Sequence, residues 1–281
     1  MNSTVTRSIS GLVFLVVMIG SLLGGKFFFL PLFLFIQAQM MKEYYQITLG
    51  NKHVAVRNAA IAMAILSFGL VFVTTGAVEP ALPVKYLGIT LLLFVGLLMY
   101  MVVNHQDFKE YAYVLSGLLY IGLPVALSPF VVSTGSGYSG LLMLAFFIII
   151  WSSDVGAYCF GMLFGQKLWP AKMCPEISPK KSWAGFFGGW LTVLLAAYIL
   201  LKTGMIAFPV VHVLVMASLM HITGVFGDLY ESLWKRQFGV KDSGNIMPGH
   251  GGLLDRFDSA LFAIPTAYVY LVLFELVQSY L

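Results

Sequence analysis

The chain has 281 residues, of which 59% are hydrophobic and 10% are charged, and its net charge is +4. Soluble globular domains carry about 25% charged residues, so this composition, with a mean hydropathy of +0.90, excludes an ordinary soluble fold. We therefore expect a polytopic membrane protein whose helices pack against one another and are solvated by lipid.

Nine apolar runs are long enough to cross a bilayer, which takes about 20 residues per helix. The first run follows a short polar start that contains Arg7, and the second run comes at once. We interpret the first run as a transmembrane helix and not as a cleavable signal peptide. The sequence thus predicts an all-α bundle of about nine helices near residues 9–24, 26–46, 56–78, 83–103, 111–132, 139–165, 183–202, 206–230 and 257–280.

The basic residues predict the orientation of this bundle, because cytoplasmic loops carry an excess of lysine and arginine. With a cytoplasmic N-terminus, only Lys26, Lys85 and Lys202 of the sixteen basic residues fall outside. The residues that fall inside are Arg7, Lys42, Lys52, Arg57, Lys109, Lys167, Lys172, Lys180, Lys181, Lys235, Arg236, Lys241 and Arg256. We therefore expect the N-terminus in the cytoplasm and the C-terminus outside.

The distribution of polar residues predicts two regions along the chain. We expect N-terminal transmembrane helices over residues 1–135 and a catalytic transmembrane region over residues 136–281, with a polar segment at 228–259. Cys159 and Cys174 have no metal-type spacing, so we expect two free thiols.

The first polar island is WSSDVGAY at residues 151–158, well inside the sixth apolar run. An aspartate inside a transmembrane segment is costly, so Asp154 is expected to face a cavity or a polar partner. The alternative is a structural hydrogen bond to another helix.

The second island is SPKKSW at residues 178–183, at the predicted start of the seventh helix. Lysines and hydroxyl groups at a helix N-terminus suit a phosphate, which makes Ser178, Lys180, Lys181 and Ser182 candidate substrate-binding residues. The alternative is that the lysines are topology signals or contacts with the lipid surface.

The third island begins on the eighth helix, where His221, Asp228 and Ser232 share one face because of their i, i+7, i+11 spacing. A lone histidine of this kind is more often a satisfied polar contact than a ligand. Asp228 is a stronger candidate, because a second carboxylate, Asp255, follows near the start of the last helix.

The loop after this helix, KRQFGVKDSGNIMPGHGGLLDRFDS at residues 235–259, combines basic residues with glycines. Lys235, Arg236 and Lys241 offer positive charge to a polyphosphate, and residues 248–252 offer backbone N–H groups that a ligand can approach closely.

Carboxylates next to such a basic loop indicate Mg²⁺, which prefers oxygen ligands and bridges phosphates. Asp255 and Asp258 lie three residues apart with Arg256 between them. The sequence contains no Walker A motif, no GxGxxG and no Ser-His-Asp constellation. We therefore predict Mg²⁺-dependent phosphoryl or nucleotidyl transfer onto a lipid whose own phosphate or hydroxyl is the nucleophile.

These residues also resemble the signature of the phosphatidate cytidylyltransferase, or CDP-diacylglycerol synthase, family. The resemblance lies in SLWKR at 232–236, KDSG at 241–244 and MPGHGGLLDRFD at 247–258. Trp234 and Met247 depart from the smaller aliphatic or phenylalanine residues usual there, and both remain apolar.

The first two islands, DVGAY at 154–158 and SPKKSW at 178–183, resemble the upstream motifs of that family. Ala184 stands where the family often has glutamate. The resemblance covers about residues 150–260, and the N-terminal half resembles the family only in being helical.

The resemblance implies the reaction CTP + phosphatidic acid → CDP-diacylglycerol + pyrophosphate, without a covalent enzyme intermediate. It implies a metal centre at Asp228 and Asp255, with Mg²⁺ as the essential ion and K⁺ as a candidate second ion. Catalytic roles are implied for Asp228, Lys241, Asp242, His250, Asp255, Arg256 and Asp258. His250 has an alternative role in holding the shape of the loop.

Substrate-binding residues are predicted from the islands and the resemblance together. They are Asp154, Ser178, Lys180, Lys181, Ser182, Ser232, Lys235, Arg236, Gly251 and Gly252. The expected partners are CTP, phosphatidic acid and membrane lipids, with no nucleic acid, and the resemblance alone suggests a homodimer. A compact nine-helix chain indicates a bacterial inner membrane, with the site facing the cytoplasm.

Two other functions stay open from the sequence. A CTP-dependent polyprenol or phytol kinase would transfer the γ-phosphate and release CDP. A transporter of anionic solutes would use Asp154, Asp228 and the lysines as its binding site. Transporters usually show inverted repeats and helices broken near the midplane, and the sequence shows neither.

Overall fold

The computed structural model describes residues 3–75, 77, 82–103, 107–134, 137–165 and 168–274. Lys167, the side chain of Lys85 and residues 275–280 of the ninth predicted helix lie outside the described residues.

Helices account for most of the described chain and follow the nine predicted runs. They are α1 (Ser3–Leu23), α2 (Lys26–Thr48), α3 (Val54–Thr74), α4 (Gly88–Val103), α5 (Phe108–Gly117), α6 (Leu123–Val132), α7 (Leu141–Leu163), α8 (Trp183–Lys202), α9 (Val210–Gln237), α10 (Leu254–Phe257) and α11 (Ala260–Leu273). A π-helical segment, Leu118–Gly122, joins α5 to α6, and two residues separate α10 from α11. The prediction of an all-α bundle of about nine helices is confirmed.

Two short antiparallel hairpins accompany the helices. In the first, β1 (Ser133–Thr134) pairs with β2 (Gly137–Tyr138). In the second, β3 (Lys172–Cys174) pairs with β4 (Ser178–Ser182) immediately before α8.

Within the described residues, seven helical segments are long and apolar enough to cross a membrane. They are Val5–Leu23, Val54–Thr74, Phe108–Val132, Leu141–Leu163, Trp183–Lys202, Val210–Gln237 and Leu254–Leu273. The shorter α4 is also apolar, and α2 is more polar because it carries Gln37, Gln39, Lys42 and Glu43. The chain is thus an integral membrane protein, and the side on which each terminus lies stays a prediction.

The described residues belong to two compact units. The first unit lies within Met1–Gly140 and Asp242–Arg256, and the second lies within Leu141–Lys241 and Phe257–Leu281. The loop at 242–256 therefore belongs with α1–α6, although in sequence it lies between the two segments of the second unit.

An aromatic cluster forms part of the core of the first unit. The rings of Phe29 and Phe33 on α2 stack with centroids 4.2 Å apart, and Phe29 lies 5.9 Å from Phe72 on α3. Such rings are fully buried here and stabilise the pairing of α2 with α3 through their large contact areas.

Small residues bring α7 and α8 close together in the second unit. A Cβ atom on Gly185 of α8 would lie 2.8 Å from the carbonyl oxygen of Ala157 on α7. Membrane helices lack a hydrophobic driving force between them, so close approach at small residues provides much of their association energy. This packing fixes the position of the polar residues of α7 relative to the start of α8.

We expect Gly185→Ala to destabilise the protein by about 1–3 kcal/mol, because the added methyl group overpacks a contact with rigid backbone. The matched control is Gly69→Ala on α3, where the new methyl group meets open space. Thermal unfolding in detergent should show a lower Tm for Gly185→Ala only. Equal behaviour of the two variants would contradict this account of the α7–α8 contact.

Candidate functional site

A polar cavity of about 340 Å³ lies within the second unit. Its walls come from α7, the β3–β4 hairpin, the start of α8, and α9. The lining residues are Ser153, Asp154, Ala157, Tyr158, Met173, Ser178, Lys180, Lys181, Ser182, Gly185, Phe186, Val225, Asp228 and Ser259. The structure therefore brings residues from all three polar islands of the sequence to one cavity.

The second island forms strand β4, which leads directly into the N-terminus of α8, so its lysines lie just before the helix start predicted at residue 183. Lys172 pairs with Ser182 and Cys174 with Ser178 across the hairpin. Helix α8 begins only after Ser182, whose Oγ accepts a hydrogen bond of 3.1 Å from the N–H of Gly185. Ser182 is thus the N-cap, and the two lysines precede it on an extended strand.

An ion pair joins the second island to α9. The Nζ atom of Lys181 lies 2.7 Å from Oδ2 of Asp228 and donates to the carbonyl oxygen of Val225 at 3.2 Å. Ser232, one turn further along α9, donates to Oδ1 of Asp228 at 3.3 Å. Lys181 and Asp228 are therefore oriented by each other at the wall of the cavity.

Two further carboxylates face Asp228. The negative charges of Asp228 and Asp154 both act on Asp258, which lies between α10 and α11. Oδ1 of Asp258 accepts a hydrogen bond of 2.6 Å from the N–H of Ser259. Asp258 is thus within electrostatic reach of two other carboxylates of the second unit.

His221 makes a structural contact between helices. The ring is buried on α9, and its Nδ1 atom lies 2.7 Å from Oγ of Ser153 on α7. Through Nδ1, His221 therefore makes a polar contact with a neighbouring helix.

The basic residues at the end of α9 lie outside the set that lines the cavity. Lys235 is buried, and its Nζ lies 3.1 Å from Oε2 of Glu231. Arg236 is exposed and donates to the carbonyl oxygen of Val240 at 3.2 Å, while Lys241 is exposed. Their predicted role in holding phosphates stays a prediction.

In the first unit, Asp255 shapes the glycine-rich loop. Its Oδ2 accepts hydrogen bonds from the N–H groups of Ser243 at 2.9 Å and Gly252 at 2.7 Å. Gly251 has a φ of +86°, and a Cβ atom there would lie 2.5 Å from the same oxygen. Glycine at 251 therefore allows the backbone to approach a carboxylate of the protein itself. Asp242 and Arg256, on either side, are exposed.

A buried carboxylate that the sequence analysis missed holds the same loop. Glu43 of α2 is 2% exposed, and its Oε1 accepts hydrogen bonds from the N–H of Leu253 at 3.0 Å and from Nε2 of Gln39 at 2.8 Å. Its Oε2 accepts from the N–H of Leu254 at 2.9 Å and from Oγ of Ser243 at 3.1 Å. The signal in the sequence was an acidic residue within a predicted transmembrane run, near Gln37, Gln39 and Lys42.

His250 attaches the loop to α1. Its Nδ1 atom lies 2.7 Å from Oγ of Ser10, which also lies 3.0 Å from the carbonyl oxygen of Pro248. Burial lowers the pKa of the imidazole, and the positive charges of Arg256 and Arg7 lower it further. The contacts of the ring with Ser10 fit the role of holding the loop in shape.

Comparison with known proteins decides the family. A model of the cytidylyltransferase family matches residues 5–274, which is nearly the whole chain. The chain belongs to this family.

Relatives with a more specific name align over different lengths. A phosphatidate cytidylyltransferase from Staphylococcus epidermidis is 33% identical over 271 residues, which cover 95% of this chain and 98% of that protein. Proteins of the same name from Bacillus subtilis and Staphylococcus aureus are each 39% identical, over 176 and 170 residues. These two alignments cover 63% and 62% of the relatives, which is less than two thirds of their length.

In this member of the cytidylyltransferase family, six predicted site residues line one cavity of the second unit. They are Asp154, Ser178, Lys180, Lys181, Ser182 and Asp228. Ser232 and Asp258 contact or face Asp228 from outside that lining. His250, Gly251, Gly252 and Asp255 belong to the loop of the first unit, where Glu43 joins them.

We expect Glu43→Ala to lower the thermal stability of the protein or to loosen the loop at 242–256. The reason is that two backbone N–H groups and the Ser243 hydroxyl lose their acceptor. Each buried group left unsatisfied costs about 1–3 kcal/mol. Glu43→Gln keeps an acceptor and should retain more stability than Glu43→Ala. Thermal unfolding and limited proteolysis within residues 242–256 measure both effects.

The matched control is Glu110→Ala at the N-terminus of α5, where the carboxylate is partly exposed and contacts His53. That variant removes a partly exposed ion pair and the capping contact with the Asp107 N–H at 3.2 Å, so it should lose about 1 kcal/mol. A Glu43→Ala protein as stable and as protease-resistant as the control would contradict the role assigned to Glu43.

Proposed function

We propose that this chain transfers the cytidylyl group of CTP to phosphatidic acid, giving CDP-diacylglycerol and pyrophosphate for phospholipid biosynthesis. The observation that carries the proposal is the convergence of Asp154, the Ser178–Ser182 strand and Asp228 on one cavity. A membrane chain of the cytidylyltransferase family with a lysine-rich and carboxylate-lined cavity suits a lipid phosphate and a nucleotide. The full-length relative carries the name phosphatidate cytidylyltransferase, which favours this reaction over a CTP-dependent lipid kinase.

The lysines of β4 are the proposed phosphate-binding groups. Lys180 is exposed at the cavity wall, and Lys181 is partly buried beside Asp228. Because Asp228 and the Val225 carbonyl already orient the Lys181 ammonium, little conformational entropy is lost when it meets a phosphate oxygen. Ser178 adds a hydroxyl donor beside them.

The chemical step that we propose needs no nucleophile from the protein. An oxygen of the lipid phosphate attacks the α-phosphorus of CTP, and a new P–O bond forms. The bond from the α-phosphorus to the bridging oxygen breaks, and pyrophosphate leaves with that oxygen. Positive groups stabilise the negative charge that develops on the phosphoryl oxygens, and we assign that role to Lys181.

We propose Asp228 and Asp255 as metal ligands, each considered within its own unit, because carboxylate oxygens are donors that Mg²⁺ prefers. Asp228 borders the cavity of the second unit, and Asp255 lies on the loop of the first. No three histidine, cysteine or acidic side chains form a ready metal cage among the described residues. Mg²⁺ usually keeps water and substrate phosphates as ligands, so one or two carboxylates suffice. When bound, the ion would neutralise phosphate charge, with K⁺ as a candidate second ion.

We further propose a bacterial inner membrane as the location, with the site facing the cytoplasm, where CTP is found. The excess of basic residues on the predicted inner loops and the bacterial relatives support this location. A homodimer also remains a proposal.

The reaction is tested by incubating purified protein with Mg²⁺, phosphatidic acid and CTP labelled at the α-phosphate or at the γ-phosphate. Cytidylyl transfer puts α-label into the lipid and γ-label into pyrophosphate. Transfer of γ-label to an added polyprenol, with release of CDP, would replace the proposal with the kinase function. Absence of transfer to either lipid would contradict both.

We expect Lys181→Met to lower kcat/KM by about 100-fold or more, the effect of losing a charged donor at a reacting phosphate. Lys202→Met, in the last turn of α8 beside Tyr198, is the matched control and should retain near-normal activity. The steady-state rate of CDP-diacylglycerol formation measures both. Equal rates in the two variants would show that Lys181 does not have the proposed role.

We expect Asp255→Asn to abolish turnover while the protein remains inserted and folded. The amide oxygen can still accept one of the loop N–H groups, but the negative charge proposed to bind Mg²⁺ is lost. Asp107→Asn, at the N-cap of α5, changes a carboxylate that caps a helix and should stay active. Near-normal turnover of Asp255→Asn, measured over a series of Mg²⁺ concentrations, would refute the metal assignment.

A further inference from the structure

The first unit contains a second and largely apolar cavity, a groove of about 540 Å³. Ligand sites commonly have volumes of about 300–1,000 Å³, so the groove is large enough for a ligand. Ile9, Val13 and Val17 of α1 form one wall, and Leu32 and Phe35 of α2 form the other. The loop at 242–256 closes one end.

The groove has the length of one lipid leaflet. Its lining on α1 runs from Thr6 to Met18, which are 12 residues apart. At 1.5 Å per residue this spacing corresponds to about 18 Å along the helix. Half of a hydrocarbon core about 30 Å thick is about 15 Å. An acyl chain that spans one leaflet therefore matches the groove from end to end.

The polar groups of the groove are confined to one end. Thr6 and Ser10 line that end, and Ser10 contacts Pro248 and His250 of the loop. The side chain of Arg7 lies against Gly249, where it adds a positive charge. Apolar walls with a cationic and hydroxyl-bearing end are complementary to an anionic lipid that has its glycerol end there.

The loop itself supplies part of the apolar wall. Ile246, Met247, Pro248 and Leu253 all face the groove, although the same loop carries Asp255 and His250. A loop that only bound nucleotide phosphates would have no need of this apolar surface. Helix α1 is open to its surroundings, because only 17% of its apolar window is buried inside the structure. A lipid chain can therefore enter the groove from the bilayer.

We propose that this groove binds one acyl chain of the phosphatidic acid substrate, with the glycerol end of that chain toward Arg7 and Ser10. The inference rests on the proposed function and adds to it a subsite formed by α1, α2 and the loop. The groove then determines the selectivity of the enzyme for the length and unsaturation of the acyl chain.

Filling the groove tests the subsite through chain-length selectivity. Val13→Trp should lower kcat/KM for dioleoyl phosphatidic acid by about 10-fold, as expected when about two methylene groups lose apolar contacts. Activity on dioctanoyl phosphatidic acid and the KM for CTP should change little. The matched control is Leu12→Trp, since Leu12 is 63% exposed on α1 and lies outside the groove lining. Equal losses for both lipids, or equal losses in both variants, would overturn the proposal.

A labelling experiment tests the groove without relying on turnover. Wild-type protein in nanodiscs is irradiated with phosphatidic acid that carries a diazirine at mid-chain, and the labelled peptides are mapped by mass spectrometry. Label should concentrate on Val13, Phe14, Leu32 and Phe35. Unlabelled phosphatidic acid should compete for it, and phosphatidylcholine should not.

The outcomes separate this inference from the proposed function. Leu191 and Leu195 are exposed on α8. If they were labelled as strongly as the groove residues, the label would report ordinary contact with the bilayer and would overturn the subsite. Crosslinks between α1 helices of two copies, with no label in the groove, would replace the lipid with a dimer contact. Selective labelling of a protein that makes no CDP-diacylglycerol would retain a phosphatidic acid site and reject the reaction.

Discussion

Carboxylates are costly to remove from water, and this chain places Glu43 and Glu231 where almost no solvent reaches, with exposures of 2% and 0%. Each is therefore matched by partners. Glu43 accepts hydrogen bonds from the backbone of the loop, and Glu231 pairs with Lys235. The conformation of the loop and the polar end of α9 both depend on this requirement for pairing.

The same requirement explains the arrangement around Asp228. Lys181 reaches it from a strand, and Ser232 reaches it from the next turn of α9. A phosphate that binds near Lys181 competes with Asp228 for the ammonium group. A cation that binds near Asp228 offsets the negative charge of that carboxylate. Binding of an anionic substrate and of a divalent cation at this wall are therefore expected to favour each other.

Hydropathy predicted the helices well because nine apolar runs leave little choice of secondary structure. The seventh predicted run, 183–202, coincides with α8. Helix α9 extends to Gln237, beyond the predicted end at 230, because Glu231 and Lys235 pair within the helix and so continue it. The polarity of residues 231–237 had predicted a loop there.

The sequence was less informative about contacts between distant residues. It identified Asp154, Lys181 and Asp228 as candidates one by one, and their meeting at one cavity required the fold. The β3–β4 hairpin was not predicted, because its strands are three and five residues long and polar. Glu43 was missed because Ser243, Leu253 and Leu254 lie 200 or more residues away, where no local pattern connects them.

That separation has a consequence for biosynthesis. Gln39 is synthesised together with Glu43, whereas the Ser243 hydroxyl becomes available only 200 residues later. At about 5–20 residues per second, the ribosome needs roughly 10–40 s to reach it. During that interval α2 is complete while its acidic group still lacks most of its final hydrogen-bond donors. The first unit therefore cannot mature until residues 141–241 of the second have been synthesised, and a nascent chain truncated before the loop would leave the Glu43 carboxylate without these donors.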